Sequence, residues 1–218
     1  QLLTIPLQVG FPTVIDGRID KTIENLPKVQ PTFMAAVPRI FEKVRATVLS
    51  SNATGVKGAI ARWAFSVGKQ SHEYRLAGKP LPGVLGVQYK IADKLVFSKL
   101  RERLGGRMKF MVSGSAKLNA KVQGWFYSAG LIIIEGYGLT ETTAVSFVNV
   151  PTRPKFGTVG QSLPGTEVQI AADGEVLLRG PGVMRGYHDA DDHTDEAIVD
   201  GWFHTGDVGH LDDEGNLS

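Results

Sequence analysis

The chain has no cysteine in its 218 residues, which removes disulfides, thiolate nucleophiles and Cys-based zinc sites together. That fits a reducing compartment, and a cytoplasmic setting is the expectation. No apolar run approaches the roughly 18 residues of a spanning helix, and the opening QLLTIPLQVG lacks the basic start and small-residue cleavage site of an export signal. The phosphate-loop patterns GxxxxGKS or GxxxxGKT and the dinucleotide pattern GxGxxG are also missing. There is little excess of one charge overall, the formal net charge being +2. That balance hides an asymmetry: residues 36–110 hold 15 Lys/Arg against 4 Asp/Glu, and residues 165–218 hold 2 against 13. A basic segment attracts phosphorylated ligands, nucleic acid or an anionic membrane. Here the charges alternate with apolar residues at helical spacing, as solvated helix faces do, and no RNA or DNA motif accompanies them. No nucleic-acid partner is expected, and peripheral contact with the inner face of a membrane stays open.

What is present is 42% apolar residues, enough for a real core. The pattern predicts a short strand over 11–15 (FPTVI), a helix over 19–30 with Ile19, Ile23 and Leu26 on one face, and a strand over 32–37. Pro38 suits the first turn of a helix whose Ile40, Phe41, Val44 and Val48 share a face. A long helix is expected over 87–104, with Ile91, Leu95, Leu100 and Leu104 as its buried stripe and Gly105-Gly106 as its stop. The next unit is a βαβ crossover. RMKFMV (107–112) reads as a strand, SGSAKL as a loop, NAKVQGWFYSAG as a helix with Asn119 as its cap, and LIIIE (131–135) as a strand. Strands joined in this way run parallel and end at one sheet edge, so SGSAKL and EGYGLTET emerge side by side where open α/β sheets bind ligands. Beyond about residue 155 the pattern alternates, with an Asp173-Gly174 hairpin between TEVQIA and EVLLR. The expected fold is therefore α/β: a parallel-sheet layer over 1–154, then a small antiparallel sheet or barrel over 155–218.

Those two loops carry the chemistry. SGSA offers hydroxyls and small side chains that let a planar ring approach the backbone, and Tyr137, flanked by Gly136 and Gly138, offers an aromatic face. Thr140 can donate to a phosphate oxygen, and Glu141 can hold a hard divalent cation that keeps most of its waters. The plainer alternative makes the glycines turn formers, Tyr137 a packing residue, Thr140 a helix cap and Glu141 a first-turn charge. YHDADDHTDEA (187–197) and LDDEGN read as solvated turns, because their spacing completes neither a calcium loop nor a zinc set.

Four segments in order resemble the AMP-forming acyl-adenylate synthetase superfamily: VSGSAKL, EGYGLTETTA, GEVLLRGPGVMRGY and DGWFHTGDVG. VPRIFEKV, the basic stretch with GKPLP, and ADKLVFSKLRERLGGRMKFMVSGSA are most similar to bacterial long-chain fatty acyl-CoA synthetases. The resemblance implies that Ser115, Ala116, Gly136 and Tyr137 surround adenine, with Glu135 near its exocyclic amine, and that Gly138 also belongs to the nucleotide-binding set. It further implies Thr140 on the α-phosphate, Glu141 on Mg²⁺ and Asp207 on the ribose hydroxyls, Thr140 and Glu141 being the catalytic pair. Lys117 stands where relatives commonly have proline and receives no role. The implied reaction joins a fatty acid to AMP from ATP and then passes the acyl group to CoA; the alternatives are a ligase loading a carrier protein and a non-catalytic nucleotide-binding or membrane-associated module. The resemblance also implies a segment of a larger domain, with a second phosphate loop before residue 1 and a lysine-bearing domain after residue 218, and hence a chain inactive alone.

Overall fold

The computed structural model describes residues 4–15, 21–51 and 54–218. Helices α1 (Thr4–Val9), α2 (Thr22–Val29), α3 (Pro38–Ser51), α4 (Gly55–Gln70), α5 (His72–Leu76), α6 (Gly83–Ala92), α7 (Ser98–Arg103), α8 (Ala120–Ser128) and α9 (Asp191–Ala197) alternate with nine strands. One sheet has the order β1 (Phe33–Ala36), β2 (Phe110–Ser113), β3 (Ile133–Tyr137), β4 (Phe147–Val148) and β5 (Gln161–Ser162). The second has the order β6 (Glu167–Ile170), β7 (Glu175–Arg179), β9 (Trp202–Val208) and β8 (Ile198–Val199), antiparallel throughout. β3–β4 and β4–β5 are antiparallel, whereas the α8 crossover makes β2 and β3 parallel. The chain is thus α/β with a small antiparallel sheet, as the sequence predicts. Packing gathers the described residues of Gln1–Met111 with Lys121–Ile133 in one unit, and Val112–Ala120 with Ile134–Ser218 in the other.

In the first unit the core is aromatic. Trp125 of α8 stacks on Phe65 of α4 with ring centroids 4.5 Å apart, and Phe126 meets Phe41 of α3 edge-on at 6.0 Å. A side chain at Gly68 has no room, because its Cβ falls 2.6 Å from that of Ser128. The helix expected over 87–104 starts earlier, at Gly83, and contains a π turn over Asp93–Phe97. At roughly 3.6 residues per turn Leu100 falls about 180° from Ile91, so the stripe expected over 91–104 does not lie on one face. Phe97, Leu100 and Leu104 point inward, whereas Ile91 and Leu95 remain 46% and 45% exposed. A bidentate Arg101–Asp93 pair, at 2.6 and 2.9 Å, spans the π turn. Residues 11–15 form no strand: all five are exposed, and Pro12 has no N–H for a ladder. Of the face expected on α2, Leu26 is buried and Ile19 lies outside the described residues. Among the described residues no helix is long and apolar enough to cross a membrane.

His72, at the start of α5, sits in this core with Nε2 2.8 Å from Ser128 Oγ. The Ser128 hydroxyl already donates to the Gly124 carbonyl, so the imidazole Nε2–H is the donor. Desolvation, with Arg75 and Lys69 nearby, lowers its pKa from 6.5 to about 4. Between those values the unfolded chain binds a proton that the folded chain refuses, so stability rises with pH across that window and is lost as pH falls through it. Urea midpoints of wild type and His72→Gln, compared from pH 4 to 6.5, are expected to show the steeper slope in wild type; equal slopes would remove His72 from the acid response.

In the second unit Phe147, Val176, Leu178 and Leu217 form the core, with Tyr137, Val168 and Ile170 packed against it. The β6–β7 hairpin turns at the expected place: Gly174 has φ +91°, and Asp173 Oδ1 accepts the Glu175 N–H at 3.1 Å. Buried Asn149 fastens the loop after β4, accepting the Lys155 N–H at 2.9 Å and donating to the Lys155 and Thr158 carbonyls. α9 corrects the reading of 187–197 as an irregular loop. Its seven residues are mostly exposed, as expected, but Asp191 and Asp192 in its first turn favour a helix.

Candidate functional site

β3 runs two residues beyond the strand read from LIIIE and ends at Tyr137. Its Glu135 is 2% exposed. One carboxylate oxygen, Oε2, accepts the Leu118 N–H at 2.7 Å, which ties the loop after β2 to β3. Among the described residues the other, Oε1, has no partner, and neither has Ser113 Oγ at the end of β2. Four such buried side-chain atoms occur among the described residues, and two of them are at these neighbouring strand ends. Buried polar groups are almost always paired, so two orphans at one sheet edge suit a ligand that brings its own polar groups. Burial raises the Glu135 pKa, with the Leu118 hydrogen bond and the Lys117 charge opposing. A Cβ on Gly114 would lie 3.9 Å from the Gly136 carbonyl, so the two loops do emerge side by side. Ser115 and Ala116 are exposed on the first of them, Ser115 in the left-handed region at φ +68°.

Tyr137 donates its hydroxyl to Asp207 Oδ2 at 2.7 Å, joining the end of β3 to the end of β9. Burial, then the Asp207 carboxylate, holds the phenol well above its ordinary pKa. The HTGD stretch is anchored from behind. Glu175 of β7 takes the Gly206 N–H on one oxygen and His204 Nδ1 on the other, each at 2.8 Å, and the Thr205 hydroxyl donates to the Val176 carbonyl at 2.7 Å. Asp207 therefore stands exposed on a fixed backbone, one oxygen engaged by the phenol.

After Tyr137 the chain makes a tight reversal. The Ala144 N–H reaches the Leu139 carbonyl at 2.9 Å and Ser146 N–H reaches the Tyr137 carbonyl at 2.8 Å, with Thr143 and Ala144 both left-handed at φ +58° and +80°. Two consecutive non-glycine residues in that region, one β-branched, are uncommon and cluster at functional sites. Thr140 opens the short 3₁₀ turn here, and its side chain is exposed. Glu141 follows, half-buried, with Oε1 accepting the Tyr187 hydroxyl at 3.0 Å. Among the described residues Oε2 has no partner. A free oxygen on a fixed carboxylate fits Mg²⁺, which takes one or two protein carboxylates and completes its shell with phosphate and water.

Glu135, Gly136, Tyr137, Gly138, Thr140 and Glu141 thus follow one another along β3 and its turn. Leu118 brings in the loop of Ser115 and Ala116, and the Tyr137 hydroxyl brings in Asp207. Beside them opens a cleft of about 660 Å³, lined by Glu175, Tyr187, His193, His204 and Gly206. The sequence reading gave no role to Tyr187, Glu175 or Thr205. All three stand inside quoted motifs, and nothing in the residues' spacing says which side chains reach across to another segment.

A family model described as AMP-binding enzyme matches residues 2–188. The protein fadD11 of Mycobacterium tuberculosis, which bears a fatty-acid–CoA ligase name, is 41% identical over 97% of this chain and 38% of its own length. A long-chain-fatty-acid–CoA ligase of Mycobacterium bovis, FadD15, is 40% identical over 96% of this chain and 34% of its own. The chain thus spans between a third and two fifths of these relatives. Among solved structures, the anthranilate CoA ligase AuaEII in complex with anthranoyl-AMP superposes with a TM-score of 0.65 over 99% of this chain and 35% of the other, at 18% identity. O-succinylbenzoate coenzyme A synthetase from Bacillus subtilis, in complex with AMP, gives 0.62 over 99% and 36%, also at 18%. These two likenesses concern the fold.

Proposed function

We propose, since the chain belongs to the AMP-binding enzyme family, that it supplies the nucleotide-binding end of an AMP-forming acid–thiol ligase acting on long-chain fatty acids, and works within a longer protein. The observation that carries this is the convergence at one strand end of a buried acceptor, Glu135, an aromatic edge, Tyr137, and two carboxylates, Glu141 and Asp207, drawn from segments 70 residues apart. Adenine lies against the Tyr137 ring and the Gly136 and Gly138 backbone, between the loop of Ser115 and Ala116 and the turn, and its exocyclic amine donates to Glu135 Oε1. The ribose hydroxyls donate to Asp207. Thr140 donates to an α-phosphate oxygen.

In the first step a fatty carboxylate oxygen bonds to the α-phosphorus while the bond to the bridging oxygen breaks and pyrophosphate leaves. In the second, the CoA sulfur bonds to the acyl carbon while the carbon–oxygen bond to AMP breaks, the thiol proton passes to solvent and AMP departs. Mg²⁺, held by Glu141, supplies charge neutralisation on the phosphates. The residues' own work is to orient the ring and ribose and keep the α-phosphorus in line, which requires no protein nucleophile. Fatty-acid-dependent exchange of labelled pyrophosphate into ATP, followed by thioester formation with CoA, tests this on the intact enzyme carrying the segment. Exchange is the expected result; its absence with every carboxylate would overturn the proposal. Exchange with acyl transfer to a carrier protein and none to CoA would replace the second step only.

A further inference from the structure

The stretch 180–187 crosses the turn that bears Glu141, and it does so through three hydrogen bonds. The Thr143 hydroxyl donates to the Gly182 carbonyl at 2.7 Å, the Met184 N–H donates to the Glu141 carbonyl at 2.7 Å, and the Tyr187 hydroxyl donates to Glu141 Oε1 at 3.0 Å. The first joins the Thr143 side chain to backbone and the second joins backbone to backbone, while the third holds the Glu141 carboxylate itself. Tyr187 is in turn anchored: its N–H donates to Thr194 Oγ1 at 2.9 Å, and the Thr194 hydroxyl donates to the Ala190 carbonyl at 3.1 Å at the start of α9. At Gly186 a Cβ would fall 2.8 Å from Thr194 Cγ2, so the approach of this stretch to α9 depends on a missing side chain.

We propose that Tyr187 is a positioning residue for the cation. By occupying Oε1 it fixes the Glu141 rotamer and leaves Oε2 as the single oxygen presented to Mg²⁺, and α9, through Thr194, sets where the phenol stands. This rests on the reading of Glu141 as the metal-holding carboxylate. A carboxylate free to rotate must be ordered when the ion arrives, and an already oriented one need not be, which is why partners that orient a ligand affect metal affinity strongly. The segment 187–197 then has a use beyond a solvated turn.

The test is calorimetric titration of ATP into the enzyme at graded Mg²⁺, with Mn²⁺ binding in the presence of ATP followed by electron paramagnetic resonance. Tyr187→Phe is expected to raise the cation concentration for half-maximal effect about tenfold, while nucleotide affinity in EDTA stays unchanged. Glu141→Gln serves as the reference. If it leaves the cation requirement unaltered, the reading of Glu141 falls and this inference with it. If Glu141→Gln raises the requirement and Tyr187→Phe does not, only the role of Tyr187 is overturned. In the Glu141→Gln background, Tyr187→Phe is expected to add nothing, and an additive second rise would show that the phenol acts elsewhere. Should the phenylalanine variant lose its fold, Thr194→Val, which frees the Tyr187 backbone and keeps the phenol, gives the second measurement: a raised requirement supports the inference, and an unchanged one overturns it.

Discussion

Gly138→Ala is expected to cost about 3 kcal/mol or more of the stability of the unit that carries the site. A Cβ built on Gly138 lies 1.7 Å from the Ala144 carbonyl oxygen, 2.6 Å from its carbon and 2.9 Å from the Ser146 nitrogen. All three atoms are backbone, so no side chain can swing aside. The backbone cannot yield easily either. The Ala144 N–H is held by Leu139 and the Ser146 N–H by Tyr137, while Thr143 and Ala144 are already in the left-handed region. Relief requires opening the turn, which moves Glu141 away from Tyr187 and Thr140 away from the strand end. The neighbouring Gly136 supplies the control: its Cβ would meet the Phe147 carbonyl at 3.5 Å, an ordinary contact, and Gly136→Ala is expected to change stability little. Urea unfolding of both variants decides it. A Gly138→Ala midpoint equal to that of Gly136→Ala would mean that the turn is soft, and the argument for a rigid Glu141 would go with it.

That turn also shows where the sequence is readable and where it is not. Local signals survive folding well: Pro38 opens α3, the Asp173-Gly174 pair closes the β6–β7 hairpin, and the crossover from β2 through α8 to β3 places two loops at one edge. Each depends on a few adjacent residues and a period. The same reasoning missed the π turn at Asp93–Phe97, which apolar spacing does not signal, and it grouped Ile91 and Leu95 with Leu100 and Leu104 although the step from Ile91 to Leu100 is about half a turn out of phase at roughly 3.6 residues per turn. It also supplied a strand at 11–15 from propensity alone, where nothing buries the residues. In the site, the residues along β3 were visible as a run of changing character. Glu175 behind His204 and Gly206, and Tyr187 against Glu141, were not, since those pairs are 29, 31 and 46 positions apart. A motif says that a segment matters, and only packing says which of its side chains reach across.

Glu141→Ala is expected to slow acyl-adenylate formation by about 10² to 10³, the range for deleting one preorganised electrostatic contact in a reaction that depends on charge neutralisation. The substitution is clean for a structural reason. The Glu141 carbonyl, which accepts the Met184 N–H at 2.7 Å, belongs to the backbone and stays in alanine, as does the Thr143 bond to Gly182. What is lost is the carboxylate and the Tyr187 hydrogen bond to it, both exposed enough that the unfolding free energy from urea titration should change by less than about 1 kcal/mol. Because a cation held by Glu141 would neutralise charge most where it builds at the leaving pyrophosphate, the loss belongs in the rate of the first step more than in nucleotide affinity. Single-turnover formation of acyl-AMP, measured against Mg²⁺ concentration, separates the two. Glu141→Asp, one methylene shorter and no longer within reach of Tyr187, should recover only part of the rate even at saturating Mg²⁺. A Glu141→Ala enzyme that kept wild-type Mg²⁺-dependent turnover would place the cation on other residues, and the free Oε2 would then be no more than a solvated oxygen at the end of a strand.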